Sequence, residues 1–383
     1  MSLSFETTPK IVCEHGSAQR LHEIVTSVGG SRVLMVTDKG MQATGLIEPV
    51  VDAFAKVGQE AIVYADVQAD PPEDVVLAAV EFAIQHKVDA VVGIGGGSSM
   101  DTAKLVALLA KTKQPIAEIY GIGLAKGPRL PLIQVPTTAG TGSEATPISI
   151  VTTPTHEKKG IVSPLLYPDV AVLDGLLTLG LPRAVTAMTG IDAMVHAIEA
   201  YASRHKKNLL SDMFAVKALN LLYPNIRRAV SDGADAHARE QMLLGSLLAG
   251  IAFANAPVAA VHALAYPLGG HYGLPHGLTN SLMLVPVLRF NERVATPLYA
   301  ELGRVMLPGL GSLPDAAVSE AFVGAIATLV REMPYAQTLR EAGIPAGSLP
   351  MLATDAMNVK RLLINNPRDV EYEEALALYQ EAF

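Results

Sequence analysis

Asp89-Ala-Val-Val-Gly-Ile-Gly-Gly-Gly-Ser-Ser-Met-Asp-Thr-Ala-Lys104 reads as a strand, a glycine turn and the opening of a helix. Gly95, Gly96 and Gly97 let backbone N–H groups approach a phosphate at the positive end of the following helix, where Ser98 and Asp101 are candidate contacts. A tight βα turn with no ligand would show the same glycines. The G-x-G-x-x-G pattern fails at Ser98, and the loop follows a third strand rather than a first, so this is not the ordinary dinucleotide fingerprint. A second loop, Pro136-Thr-Thr-Ala-Gly-Thr-Gly-Ser-Glu144, also follows a strand and contributes Thr137, Thr138 and Thr141. Two such loops at strand C-terminal ends point to a nucleotide site.

Outward from this loop, strand-like runs begin near Val33, Ala61 and Asp89, with helical segments between them. That alternation predicts a wound, largely parallel sheet, and Leu132–Val135, Ile148–Thr152 and Val170–Leu173 supply further strands. Asp38 ends the first of these strands. A carboxylate there can accept hydrogen bonds from ribose hydroxyls and would repel a 2′-phosphate, which favours NAD over NADP. The alternatives are a capping role for Asp38 and a phosphate contact from Lys39. Beyond Pro182 the pattern changes to long apolar-periodic segments: Asn208–Leu222, Ala236–Ala254, Leu278–Phe290, Pro297–Met306, Asp315–Arg331 and Glu371–Ala382 all read as helices. The expectation is an α/β nucleotide-binding domain over 1–182 and an all-α domain over 183–383.

The chain of 383 residues is half hydrophobic, 17% charged and carries a net charge of −8. This composition excludes disorder and argues against duplex nucleic acid or anionic lipid as partners. A lone cysteine, Cys13, requires no oxidising compartment, and the N-terminus has no signal-peptide pattern, so the expected location is cytoplasmic. The apolar run Met242–Ala254 is shorter than a membrane span and reads as a buried helix.

Gln241–Leu288 contains no Asp, Glu, Lys or Arg, and its only strongly basic side chains are His262, His271 and His276. Imidazoles in a charge-free core need partners, and a metal ion is one; its anionic compensation must come from outside the stretch. Asp192-Ala-Met-Val-His196 offers a carboxylate and an imidazole one helical turn apart. His276 returns after a chain reversal at Gly269-Gly270 and Gly273–Pro275. Asp192, His196, His262 and His276 then form a four-ligand N/O set suited to Fe(II), Zn(II) or a related ion. His271 is a hydrogen-bond donor to a ligand, a proton carrier or a wall of the pocket.

The two loops, Thr189-Gly-Ile-Asp-Ala-Met-Val-His-Ala-Ile-Glu-Ala-Tyr201 and the His262 to His276 segment together resemble the iron-containing, or group III, alcohol dehydrogenases, among them lactaldehyde reductase and propanediol dehydrogenase. The resemblance covers nearly the whole chain. It implies a nucleotide domain, a helical metal domain and an active-site cleft between them, with Asp192, His196, His262 and His276 as ligands to iron, or in some members zinc or manganese. Reversible hydride transfer between a small alcohol or its aldehyde and NAD follows from it, as does a homodimer. Many members carry histidine where this chain has Tyr266, so Tyr266 or His271 must take over that residue's work or the step must be done without it. Maleylacetate reductases, glycerol dehydrogenases and dehydroquinate synthases are more distant relatives and supply the alternative reading. A rival outside catalysis is a nucleotide-sensing protein with a structural metal.

Overall fold

The computed structural model describes residues 4–155 and 157–383. Its strands are β1 (Lys10–Cys13), β2 (Arg32–Asp38), β3 (Glu60–Val67), β4 (Ala90–Gly95), β5 (Gly121–Ile122), β6 (Leu132–Pro136), β7 (Ile148–Thr152), β8 (Lys158–Val162) and β9 (Val170–Leu173). Six of them form one all-parallel sheet in the order β1-β9-β6-β4-β2-β3. The chain leaves β2 for β3 on one side and then crosses back to place β4 on the other. The strand order therefore reverses between β2 and β4, the switch point at which doubly wound sheets bind ligands beyond their carboxyl ends.

Side chains alternate between two cores. Val33 and Met35 of β2 pack with Val92 and Ile94 of β4 against α1 (Leu21–Ser27) and α3 (Glu48–Lys56). Leu34 and Val36, one residue out of phase, join Val91 and the helices α4 (Glu73–Gln85) and α5 (Gly97–Thr112) on the opposite face. Each fully buried Leu or Val here contributes about 1.5–3 kcal/mol. The short helix α2 (Lys39–Ala43) is capped by Asp38, whose Oδ1 accepts from the Met41 N–H at 2.9 Å.

Ile148–Thr152 is a strand, but it lies outside the main sheet. As β7 it pairs antiparallel with β8, in a three-stranded sheet of order β5-β8-β7. Its residues alternate in burial, unlike those of β4, which are buried throughout. Periodicity marks such a strand without saying which sheet receives it. The edge strand β1, four residues long and mostly exposed, carries no such signal and was not anticipated.

The helical part comprises α6 (Arg183–Ala202), α7 (Leu209–Ser231), α8 (Ala236–Asn255), α9 (Ala260–Tyr272), α10 (His276–Met306), α11 (Asp315–Arg331), α12 (Leu349–Asn358), α13 (Lys360–Leu363) and α14 (Tyr372–Ala382). Where two helices were expected over 278–290 and 297–306, α10 runs unbroken through Pro286 and Pro297. Packing against α6, α9, α11 and α14 overrides the local cost of the two prolines. The helices α12 and α13 were also not anticipated, although Leu349, Leu352, Ala353 and Ala356 follow a helical stripe.

By contacts the chain divides into Glu6–Gly180 with Ala234–Leu247, and Met1–Phe5 with Leu181–Gly233 and Leu248–Phe383. Ala234–Leu247, placed by the sequence in the helical half, thus clusters with the sheet. Among the described residues, no single helix is long and apolar enough to cross a membrane.

The helix crossing that presents His276 leaves no room beside Gly277, where a Cβ would stand 2.5 Å from the Met188 carbonyl oxygen on α6. Gly277→Ala should cost about 1–3 kcal/mol, read as a lower urea midpoint. Gly324→Ala on α11, which meets nothing within 4 Å, should hold or slightly raise that midpoint.

Candidate active site

Asp192 and His196 project from one face of α6, His262 from the first turn of α9 and His276 from the first residue of α10. One ligand atom from each lies within 4.8 Å of all the others. Asp192, His196 and His262 are buried, at 2%, 4% and 2% exposure, whereas the His276 side chain is 36% exposed and forms the open side.

The protonation pattern suits a cation. Glu199 lies three residues beyond His196 on the same face of α6. Its Oε1 accepts from the Val261 N–H at 2.7 Å and its Oε2 stands 2.6 Å from His262 Nδ1. A carboxylate can only accept, so His262 donates from Nδ1 and its Nε2 carries a lone pair. That lone pair faces His196 Nε2 at 3.0 Å, close enough to accept a proton from it or to share a cation with it. Asn280 Nδ2 approaches Asp192 Oδ1, His262 Nε2 and His276 Nε2 at 2.5, 3.1 and 3.2 Å, while its Oδ1 is buried without a donor. Three imidazoles, a carboxylate and an orphaned amide oxygen in one pocket are a donor set that fits a divalent metal.

Tyr266 and His271 take different places. Tyr266, one turn after His262, sets its ring 6.1 Å from that of His276. Loss of water raises its hydroxyl pKa, and the nearby Arg361 charge works against the rise. His271 does not join the cluster. No chain reversal occurs at Gly269-Gly270; α9 continues to Tyr272 and ends at Gly273, whose φ of 63° suits only glycine well. Nine residues at about 100° each turn His271 to the face opposite His262. There it pairs with Asp355 at 2.6 Å on the surface.

The glycine loop sits at the β2/β4 switch point. Gly95, at φ 151°, could not carry a side chain, since a Cβ would lie 2.7 Å from Ser99 Oγ. Ser99 Oγ donates to Asp38 Oδ2 at 3.2 Å, so Asp38 both caps α2 and borders the loop. Lys39 pairs with Asp66 at 3.0 Å on the surface, which weakens its candidacy as a phosphate contact. Gly96 and Gly97 lie at the partly open start of α5, with Thr138 facing Gly96 and Thr141 so close to Gly97 that a Cβ there would meet it at 2.8 Å. The Thr137 N–H donates to the Gly95 carbonyl at 2.9 Å, joining the two loops. Ser98 Oγ accepts from the Asp70 N–H at 3.2 Å.

Asp101 is turned inward. Its Oδ1 accepts from Ser143 Oγ at 2.6 Å and its Oδ2 from the Ile150 N–H at 2.9 Å. Beside it Lys104, with no exposed surface, donates to Ser143 Oγ, Thr146 Oγ1 and the Ile148 carbonyl at 2.8, 3.2 and 2.6 Å. Burial pushes Lys104 down to about 8 and Glu144 up to about 7, each partly offset by the other's charge. Sequence reasoning assigned no role to Glu199, Asn280, Lys104 or Glu144. Glu199 extends the Asp192–His196 spacing by another turn, a signal that could have found it.

Two family models match the chain: iron-containing alcohol dehydrogenase over residues 8–175 and the Fe-containing alcohol dehydrogenase family, C-terminal, over 186–383. The chain belongs to the iron-containing alcohol dehydrogenase family. It is 38% identical to long-chain-alcohol dehydrogenase 1 of Geobacillus thermodenitrificans, covering 96% of this chain and 93% of that one. It is 35% identical to sulfoacetaldehyde reductase of Bilophila wadsworthia over the full length of both. A crystal structure of 1,3-propanediol oxidoreductase superposes with a TM-score of 0.96 at 32% identity, covering 100% of both chains. This dehydrogenase is accordingly an oxidoreductase that transfers hydride between an alcohol and a nicotinamide cofactor.

Glu144 holds its proton to about pH 7 when folded against 4.5 for an ordinary glutamate. Between those values the folded dehydrogenase binds more protons than the unfolded chain, so this group's contribution to stability falls as pH rises. Urea midpoints should show the wild type losing stability relative to Glu144→Gln across that window.

Proposed function

We propose that Asp192, His196, His262 and His276 hold one divalent ion, Fe(II) first and Zn(II) or Mn(II) next, and that NAD binds at the β2/β4 switch point. The observation that carries this reading is the convergence of the four ligand atoms within 4.8 Å. When bound, the ion supplies Lewis-acid polarisation of the substrate oxygen and the nicotinamide a hydride acceptor. Asp192 provides the negative charge the cation needs. Glu199 fixes the tautomer of His262 and aims its Nε2 inward. Tyr266, whose hydroxyl accepts from Arg361 and whose pKa burial raises, keeps its proton at neutral pH beside His276 and does not act as a base.

On the cofactor side, Gly95, Gly96 and Gly97 with Thr138 and Thr141 leave backbone and hydroxyl groups for the phosphates, and Asp38 faces the ribose. Relatives named for 1,3-propanediol, methanol and sulfoacetaldehyde support a small alcohol or its aldehyde as the substrate class, while another is named for long-chain alcohols. The lone Cys13 supports the cytoplasmic location expected from the sequence, and the homodimer and a division of labour near residue 182 go with this reading.

Exhaustive chelation should abolish turnover of short alcohols with NAD, and Fe(II) should restore it together with one ion per chain by elemental analysis; full activity of the chelated protein would overturn the assignment. Asp38→Gly should raise kcat/KM with NADP relative to NAD by tenfold or more, since it removes the charge that repels a 2′-phosphate (about 1.4 kcal/mol per tenfold). A wild type that already favours NADP would contradict the role given to Asp38.

A further inference from the structure

The open side of the ligand set leads to an unused positive charge. His276 is the exposed ligand, and the Tyr266 ring stands 6.1 Å from it. The Arg361 guanidinium carbon lies 5.9 Å from the centroid of that same ring, at the limit of a cation–π contact, and the guanidinium donates a hydrogen bond to the Tyr266 hydroxyl. Arg361 is exposed on α13, and no acidic group among the described residues pairs with it. The carboxylates of the neighbouring segments are engaged elsewhere: Asp355 with His271, Asp369 with Arg204 and Glu374 with Arg368. Lys360, next in the chain, adds to the positive field.

We propose that Arg361, backed by Tyr266, binds an anionic head on the substrate, so that the preferred alcohols and aldehydes carry a carboxylate or a sulfonate. The inference rests on the dehydrogenase reading above and gives it a substrate class. A guanidinium presents its N–H groups as a planar fork matched to two oxygens of such a head, and its weak hydration makes the exchange of water for an anion inexpensive. A neutral substrate of the same length leaves that fork in water and gains nothing from it. Tyr266 links the two groups, accepting from the guanidinium and standing 6.1 Å from the His276 ring, so the arginine acts on specificity and takes no part in the hydride transfer.

The test compares kcat/KM for succinic semialdehyde, sulfoacetaldehyde and butanal with the iron-loaded enzyme and NADH. Wild type should favour at least one of the two anionic aldehydes over butanal by about 10- to 100-fold, the worth of one charge-assisted pair, and which of the two leads identifies the head. Arg361→Gln should collapse that ratio, chiefly through KM, and Arg361→Lys should retain part of it because the charge stays while the fork is lost. Lys360→Gln should leave the ratio in place. Metal content and melting curves, taken alongside, separate a specificity change from misfolding, and the lysine variant decides the matter if the glutamine variant does not fold. A wild type that turns over butanal as well as the anions, or a ratio unmoved by Arg361→Gln, overturns the proposal while leaving the dehydrogenase reading standing. Failure of all three aldehydes with metal-loaded protein overturns both.

Discussion

Two imidazole nitrogens facing each other at 3.0 Å in a buried pocket are the contact on which the helical unit turns. His262 donates from Nδ1 to Glu199, so its Nε2 can only accept, from an N–H of His196 or by sharing a cation with it. Three helices meet to set up that contact. α6 supplies Asp192, His196 and Glu199 along one face, Glu199 accepts from the Val261 N–H in the first turn of α9, and α10 starts at His276 itself. The close approach of Gly277 to Met188 then follows as a condition for setting the start of α10 against α6. A cation held by this set would join three helices through one centre, so that metal binding would be linked to the folding of this unit.

The sheet unit solves a related problem without an ion. Lys104, Asp101, Ser143 and the carbonyl of Ile148 make a closed buried network that fastens the start of α5 to the second loop. A network of this kind adds little net stability against an apolar replacement, but it fixes the loops in register. Gly96 and Gly97 are thereby left partly open at the start of α5.

Much of this was legible in the residues, for physical reasons that also mark the boundary. Out-of-phase apolar positions in Val33–Val36 force a sheet covered on both faces, so β2 was readable, whereas β1 is short and exposed and acquires its place only by pairing with β9. The four ligand residues stood out because a charge-free stretch cannot hide imidazoles without partners. His271 was misplaced because the face a residue occupies depends on where its helix ends, and Gly269-Gly270 looked like an end but is not one. Asp101 was read as a ligand contact because its position in the loop is visible in the sequence while the direction of its side chain is not. Glu199 was passed over because a lone glutamate on a helix ordinarily faces water.

The unequal burial of the four ligands has a consequence for traffic through the site. Three of them are sealed inside the helices, and only His276 meets solvent. An ion held by this set would meet water on the His276 side, where the imidazole also stands 3.7 Å from Asp192 and 3.2 Å from Asn280. Ligand chemistry ranks divalent ions only coarsely, so a centre that solvent reaches would fill according to the supply around it. Occupancy then becomes a record of which ion the cell had to spare while the enzyme was in use.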